Sequence, residues 1–143
     1  MSFKNPTQET IFDYLQTAKR IAVVGLSNKP DRTSYEIAAL LQNHGYEIIP
    51  VNPVLAGQEI LGEKVYARLT DVPGTIDIVD IFRRSEFLPE VAEEFIQTDA
   101  KVFWAQLGLE NTEAEKILRE NNRQEIVMNR CIKIELAALA AQG

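Results

Sequence analysis

The hydrophobic pattern of this chain alternates between short apolar runs and longer stretches in which apolar residues recur every three or four positions. Runs with little polar alternation are typical of strands that are buried on both faces of a parallel sheet. Five such runs predict strands, at Ile21–Val24, Tyr46–Val51, Thr75–Phe82, Lys101–Ala105 and Glu125–Met128. Strands that alternate with helices in this way indicate right-handed β-α-β crossovers and one sheet.

The stretches with helical spacing predict five helices, near Thr7–Lys19, from Thr33 to Gly45, from Ser85, from Thr112 and over Lys133–Ala141. The second helix begins with Thr33-Ser34-Tyr35-Glu36, which has the form of a capping box. We therefore predict an α/β fold in a single domain over residues 1–143, with a Rossmann-like, doubly wound parallel sheet of about five strands in the order 3-2-1-4-5. Residues Val54–Asp71 carry few periodic signals.

Composition and charge exclude several classes of partner. The 143 residues include 45% hydrophobic and 25% charged residues, which is ordinary for a globular domain. The net charge is −6 and no basic cluster exceeds Arg83-Arg84, so we expect no nucleic acid partner. No apolar run approaches the ~20 residues of a membrane span, and the N-terminus lacks an apolar signal core. With a single cysteine and therefore no internal disulfide, we expect a cytoplasmic protein.

The loop between the first strand and the second helix carries the strongest functional signal. Gly25 ends the strand, the polar segment Leu26–Arg32 follows, and the helix begins at Thr33. In such an arrangement, free backbone N–H groups and the positive end of the helix dipole face a bound anion. Lys29 and Arg32 can pair there with phosphate oxygens. We expect a phosphorylated ligand at this loop; the alternative is that both cations are ordinary solvated charges.

A dinucleotide is the first candidate ligand, and the sequence argues against it. The G-x-G-x-x-G fingerprint requires two further glycines, but Ser27 and Pro30 occupy those positions. Asn52 stands where an acidic residue would hold the ribose hydroxyls, so the two-acceptor carboxylate is missing. Another phosphorylated adenine ligand fits better. Its base or ribose could lie at the rigid corner Asn52-Pro53; the alternative is that this corner is only a turn that ends the strand.

Two other strand ends supply candidate ligand contacts. Arg83 follows the third strand and is expected close to the first loop. Trp104 and Gln106 end the fourth strand, where they would form a flat wall with an amide above it, suited to a narrow, amide-bearing ligand arm. The alternative for Trp104 is a place in the core.

No catalytic constellation is evident, and we expect neither enzymatic activity nor a metal site. His44, the only histidine, falls at the tail of the second helix, away from the candidate loops. Asp77 and Asp80 lie on opposite faces of their strand and do not pair as acid and base. Cys131 is the one nucleophile candidate, because the charge of neighbouring Arg130 favours a thiolate; a buried, unreactive cysteine is the alternative.

Five sequence blocks carry a family resemblance: VVGLS (Val23–Ser27), PVNP (Pro50–Pro53), VDIFR (Val79–Arg83), WAQLG (Trp104–Gly108) and NRC (Asn129–Cys131). In this order they resemble the small CoA-binding domain proteins, stand-alone Rossmann-like domains similar to the CoA-binding domain of the succinyl-CoA synthetase alpha subunit. The resemblance spans about residues 15–138. It implies a protein that binds coenzyme A (CoA) or an acyl-CoA.

The resemblance also implies where each part of the ligand lies. The first loop would hold the diphosphate, at Gly25, Leu26 and Ser27, with Lys29, Arg32 and Ser34 nearby. The adenosine would face Asn52 and Pro53, and Phe82 and Arg83 would lie along the ligand. Trp104 and Gln106 would lie near the pantetheine side. The NRC block adds Cys131. Synthetase-type domains often have a lysine where this chain has Val54, so contact with the 3′-phosphate would fall to Lys29, Arg32 or Lys64.

The phosphohistidine of the synthetases belongs to a second domain, so the resemblance implies binding without the ligase reaction. Two other functions stay open at this point. One is an NAD-responsive regulatory module, and the other is a thiol-redox protein in which Cys131 reacts with the CoA thiol or another disulfide. The sequence also leaves open whether the chain forms a homodimer.

Overall fold

The computed structural model describes residues 3–142, in which helices cover both faces of a parallel sheet. The helices are α1 (Gln8–Thr17), α2 (Thr33–Asn43), α3 (Leu88–Phe95), α4 (Thr112–Glu120) and α5 (Ile132–Gln142). The strands are β1 (Arg20–Val24), β2 (Glu47–Val51), β3 (Glu59–Ile60), β4 (Glu63–Lys64), β5 (Ile78–Ile81), β6 (Val102–Ala105) and β7 (Ile126–Val127). None of the described helices has the length and apolar character needed to cross a membrane. The predicted α/β class with a five-stranded parallel sheet is confirmed.

The main sheet has the order β2-β1-β5-β6-β7, and all its strand pairs are parallel. The predicted order 3-2-1-4-5 is wrong, because β5 pairs with β1 instead of lying outside β2. A single parallel bridge between Val51 and Tyr66 occupies the place outside β2. The segment between β2 and β5 holds only the β3–β4 hairpin and a 3₁₀ turn at Leu69–Asp71. β1 therefore ends between two other strand ends, those of β2 and β5.

Two apolar layers hold the sheet between the helices. Ala22 and Val24 of β1 belong to the layer under α3 and α4, whereas Ile21 and Val23 belong to the layer under α1, α2 and α5. Because both faces are buried, the strand tolerates no polar residue from Ile21 to Val24, which explains its unbroken apolar run. This packing fixes the position of the loop that follows β1.

Candidate functional site

Gly25 is the point at which the chain turns from β1 toward α2. Its φ of +84° lies in the left-handed region that favours glycine. A Cβ atom at this position would come within 2.5 Å of the carbonyl oxygen of Phe82, the residue after β5. The Gly25 N–H also donates to the carbonyl of Val51 at 2.9 Å. The end of β1 thus packs against both neighbouring strand ends, and only glycine fits there.

The loop between β1 and α2 is held by its own hydroxyl groups. The Ser34 hydroxyl accepts from the Ser27 N–H at 3.0 Å, and the Ser27 hydroxyl accepts from the Lys29 N–H at 3.1 Å. The predicted capping box is wrong, because Thr33 is the first residue of α2 and the N-cap, Arg32, makes no side-chain cap bond. Among the described residues, nothing accepts from the N–H groups of Thr33 and Ser34. The positive end of α2 therefore keeps donors that an anion can use.

These groups line an open depression of about 390 Å³, the Gly25–Ser34 depression. Its lining residues are Gly25, Ser27, Lys29, Arg32, Thr33, Ser34 and Phe82. The structure thus brings the residues predicted for the first loop together with Phe82 from the end of β5. Leu26 is the exception, because the residue is fully buried and lines neither this depression nor its rim.

Asn52 connects the ends of β1 and β2. Its amide nitrogen donates to the Leu26 carbonyl at 3.1 Å, and its amide oxygen accepts from the Val54 N–H at 3.0 Å. Both ends of the amide are engaged within the protein, so Asn52 braces the first loop. Pro53 is exposed and lines a second hollow.

This second hollow, the Arg68–Arg83 cleft, has a volume of about 180 Å³ on the α3 side of the β1 end. It is lined by Val24, Val51, Pro53, Ala67, Arg68, Arg83, Glu90, Val91 and Glu94. The guanidinium carbon of Arg83 lies 4.6 Å from the centroid of the Phe87 ring, which orients the side chain. Arg83 Cδ would lie 3.5 Å from a Cβ built at Gly25, so Arg83 is close to the first loop, as its place after the strand predicted.

Trp104 lines neither hollow. Its side chain is fully buried in the layer under α1, α2 and α5, and its indole N–H donates to the carbonyl of Arg130 at 2.9 Å. The predicted flat wall is therefore wrong in this structure, and the alternative, a place in the core, is the one observed. The cause is that the face of β6 on which Trp104 lies is covered by α1, α2 and α5.

Gln106 is also buried, and it connects Asp80 to the start of α5. Its side-chain N–H donates to Asp80 Oδ1, and its side-chain carbonyl accepts from the Ile132 N–H at 3.3 Å. The predicted amide above a ligand arm is thus engaged in the core. Asp80 Oδ2 has no partner among the described residues. Burial raises the pKa of Asp80 to about 7, and the hydrogen bond from Gln106 opposes this increase only in part. Sequence reasoning missed this contact; its one signal was an aspartate inside the apolar run Ile78–Ile81.

Cys131 is half-buried and packs against the layer under α1, α2 and α5. The neighbouring guanidinium of Arg130 donates to the carbonyl of Asn129 at 2.9 Å. The cation that was expected to favour a thiolate is therefore engaged with the backbone. A reaction of Cys131 stays a prediction.

The arginines fall into two groups according to whether their side chains have protein partners. Partners are present for Arg20, Arg84, Arg119, Arg123 and Arg130. Within residues 3–142, the side chains of Arg32, Arg68 and Arg83 form no hydrogen bond or ion pair. All three line the two hollows beside Gly25. Unpartnered cations that gather at one edge of an acidic protein indicate an anion-binding surface.

Comparison with known proteins identifies relatives over most of the chain. The family model described as "CoA binding domain" matches residues 19–137. The protein YneT of Bacillus subtilis (strain 168) is 54% identical over 131 residues, which are 92% of this chain and 95% of that protein. The structure of a hypothetical protein from Pyrococcus horikoshii OT3 matches with a TM-score of 0.88 at 38% identity, covering 98% of this chain and 99% of that one.

A larger enzyme contains a related segment. The alpha subunit of ADP-forming acetate–CoA ligase I from Pyrococcus furiosus is 35% identical over 116 residues, which cover 74% of this chain but 25% of that subunit. The similarity therefore concerns one part of the ligase subunit. The resemblance to stand-alone CoA-binding domains is confirmed by the family match over most of the chain. This chain belongs to the CoA binding domain family.

Proposed function

We propose that this protein binds coenzyme A at the carboxyl edge of its sheet and catalyses no reaction of its own. The observation that carries the proposal is that unpaired N–H groups of α2 meet Arg32 and Arg83, both without a partner among the described residues, around Gly25. A diphosphate needs several hydrogen-bond donors and positive charge at one helix terminus, and this edge supplies both. Membership of a CoA-binding family supports CoA as the ligand.

The two hollows suit different parts of CoA. The Gly25–Ser34 depression has the helix N-terminus and Arg32, so its residues would hold the diphosphate. The Arg68–Arg83 cleft has apolar walls from Val24, Val51 and Val91, which suit a nucleobase. No described hollow is lined by Trp104 or Gln106, so the pantetheine arm would lie outside the core.

The state of Asn52 favours CoA over NAD. Its amide oxygen accepts from Val54 and its amide nitrogen donates to Leu26, so the amide is oriented by the protein, and the end of β2 has no carboxylate to bind both hydroxyls of a ribose. A ligand that depends on its phosphates rather than on its ribose fits this edge better.

The candidate reactive groups support binding without catalysis. Asp80 is buried and bonded to Gln106, and Cys131 is half-buried beside an engaged Arg130. Neither of the two described hollows is lined by a nucleophile with a base beside it.

Isothermal titration calorimetry with CoA, acetyl-CoA, NAD and ATP tests the proposal. We expect CoA and acetyl-CoA to bind, and NAD and ATP to bind roughly tenfold more weakly or not at all. Binding of NAD without binding of CoA would overturn the ligand assignment. Mass spectrometry of acetyl-CoA after incubation should show no loss beyond that in buffer, and a protein-dependent loss would overturn the absence of catalysis.

A further inference from the structure

Arg68 is the one cation of the two hollows that no sequence argument singled out. It lies in the poorly patterned segment after β4, directly before the 3₁₀ turn Leu69–Asp71. Its side chain is exposed, lines the Arg68–Arg83 cleft, and has no hydrogen-bond or ion-pair partner in the described part of the chain. An arginine in this state is available to an anion that enters the cleft.

The backbone that carries Arg68 is fixed on two sides. Toward β2, the Tyr66 carbonyl accepts from the Asn52 N–H at 2.8 Å. Toward α3, the Leu69 N–H donates to the Glu94 carboxylate at 2.6 Å. A long side chain on a fixed backbone has less freedom to lose when it binds a ligand. The backbone therefore holds Arg68 at the cleft, whereas a flexible loop would not fix its position.

Two carboxylates restrict which anion the cleft accepts. Glu94 is engaged by the Leu69 N–H, and Glu90 is exposed at the rim. Two arginines beside two glutamates leave the cleft close to neutral, so net charge does not favour a polyphosphate here. A single phosphomonoester is the better match. It can accept two hydrogen bonds from one guanidinium while a nucleobase next to it packs on the apolar wall.

Coenzyme A differs from most adenine nucleotides in having a phosphomonoester on its ribose 3′ oxygen. We propose that Arg68 binds this 3′-phosphate and thereby makes the protein select CoA over dephospho-CoA. The inference rests on the proposed function, because it assumes that the adenosine lies in the Arg68–Arg83 cleft. Arg83 lines the same cleft, but its side chain stacks on Phe87 and passes close to Gly25, so it is assigned to the diphosphate. Lys64, a candidate from the sequence, instead lies 5.2 Å from the centroid of the Tyr66 ring.

Calorimetric titration of the wild type and of R68Q with CoA, dephospho-CoA and 3′-phosphoadenosine 5′-phosphate tests the inference. The wild type should bind CoA roughly 10- to 100-fold more tightly than dephospho-CoA, as expected for one charge-assisted contact. R68Q should bind CoA only as tightly as dephospho-CoA, with its affinity for dephospho-CoA unchanged. R68K keeps the charge without the paired donors and should recover part of the preference.

Two variants of nearby charges serve as controls. R84Q removes the same charge one residue beyond Arg83, but the Arg84 side chain is 82% exposed and lies outside both hollows, 3.9 Å from Glu86. It should leave the CoA to dephospho-CoA ratio unchanged. E90Q removes a carboxylate from the cleft rim, so it should strengthen the binding of CoA, which carries the additional phosphate, more than that of dephospho-CoA.

The outcomes separate the inference from the function on which it rests. Equal affinity of the wild type for CoA and dephospho-CoA, or a preference that survives in R68Q, overturns the role of Arg68 and leaves CoA binding intact. Failure of the wild type to bind any of the three ligands overturns both. Thermal unfolding of each variant shows whether a lost preference reflects a lost fold. If R68Q does not fold, the role of Arg68 is tested by whether R68K keeps only part of the preference for CoA.

Discussion

The two edges of the sheet carry similar side chains but use them differently. At the amino edge, Arg20 donates to Glu47 at 3.1 Å, and Arg123 donates to four carbonyl oxygens around the end of α3. At the carboxyl edge, the three arginines that line the two hollows form no hydrogen bond or ion pair through their side chains within residues 3–142. Charge at the amino edge stabilises the fold, whereas charge at the carboxyl edge is available to a ligand.

The volume of a hollow is a poor guide to the edge that a phosphorylated ligand would use. The amino edge has a depression of about 450 Å³, larger than the 390 Å³ and 180 Å³ hollows of the carboxyl edge. It is lined by the carboxylates of Asp13, Asp77, Asp99 and Glu125. Its two cations are already engaged, because Lys101 lies 3.5 Å from Asp77 and Arg123 caps α3. A phosphorylated ligand would therefore meet unbalanced negative charge there, so unpaired donors identify the binding edge better than volume does.

The most damaging change to the carboxyl edge should be G25A. Its new Cβ would lie 2.5 Å from the Phe82 carbonyl at a φ of +84°, so the turn that separates the two hollows must move. We expect CoA affinity to fall by roughly 100- to 1,000-fold, from the combined cost of crowding and backbone strain. G57A is the matched control, because Gly57 has a φ of +88° but nothing within 4 Å of its Cβ. Equal losses of CoA affinity in the two calorimetric titrations would contradict this account of Gly25.

Asp80 lies within β5, away from both edges, and the ionisation of its buried carboxyl should change the stability of the protein. Its folded-state pKa is about 7, above the ordinary 3.8, so its contribution is fully present below about pH 4 and is lost as the pH rises through 7. D80N should remove this dependence and be more stable than the wild type by roughly 2–4 kcal/mol above pH 8. Urea unfolding at acidic and alkaline pH measures the difference. A wild-type stability that does not decline over this range would show that the buried carboxyl has another partner.

At the carboxyl edge, R83A should weaken CoA binding by about 1.5–3 kcal/mol, because a charge-assisted hydrogen bond to phosphate is lost. R84A is its control, since Arg84 is the neighbouring arginine but lines neither hollow. Calorimetry of both variants measures the contrast. Unchanged affinity in R83A would remove Arg83 from the site.

Asp77, at the amino edge, should show a smaller effect with the opposite pH dependence. Burial tends to raise its pKa, but the N–H groups of Arg20 and Lys19 and the ammonium of Lys101 outweigh burial and hold the pKa below its ordinary value. Its stabilisation is therefore present above the ordinary pKa and is lost as the pH falls through the lowered one. D77N should cost about 1 kcal/mol of stability near pH 7 and leave CoA affinity within about twofold. A D77N variant that keeps its stability but loses CoA would break the division between the edges.

The features that sequence reasoning predicted are those decided by a few adjacent residues. The apolar run of β1, the glycine turn at Gly25 and the helix that follows are local, and the structure has all of them. The strand order was wrong because pairing is a long-range choice, and nothing in the segment after β2 showed that β5 returns to β1. The same limitation explains Trp104, whose burial depends on helices distant in sequence that cover its face of the sheet.

Side-chain partners were the least predictable part of the site. The capping box failed by one residue, since the N-cap is Arg32 and the Ser34 hydroxyl bonds Ser27 instead. The Asp80–Gln106 contact joins residues 26 positions apart, one in β5 and the other directly after β6. Arg68 lies in a segment without periodicity, where only the folded chain shows its proximity to Arg83. Such contacts depend on the assembled sheet, so a linear pattern carries little trace of them.

The most direct test of which edge binds the ligand is a titration of the ¹⁵N-labelled protein with CoA, followed by backbone amide chemical shifts. If CoA binds at the carboxyl edge, saturable changes should concentrate on Gly25–Ser34 and Phe82–Arg83, with little change at Asp77, Lys101 and Glu125. Changes centred on the amino edge, or no saturable change at any amide, would contradict it.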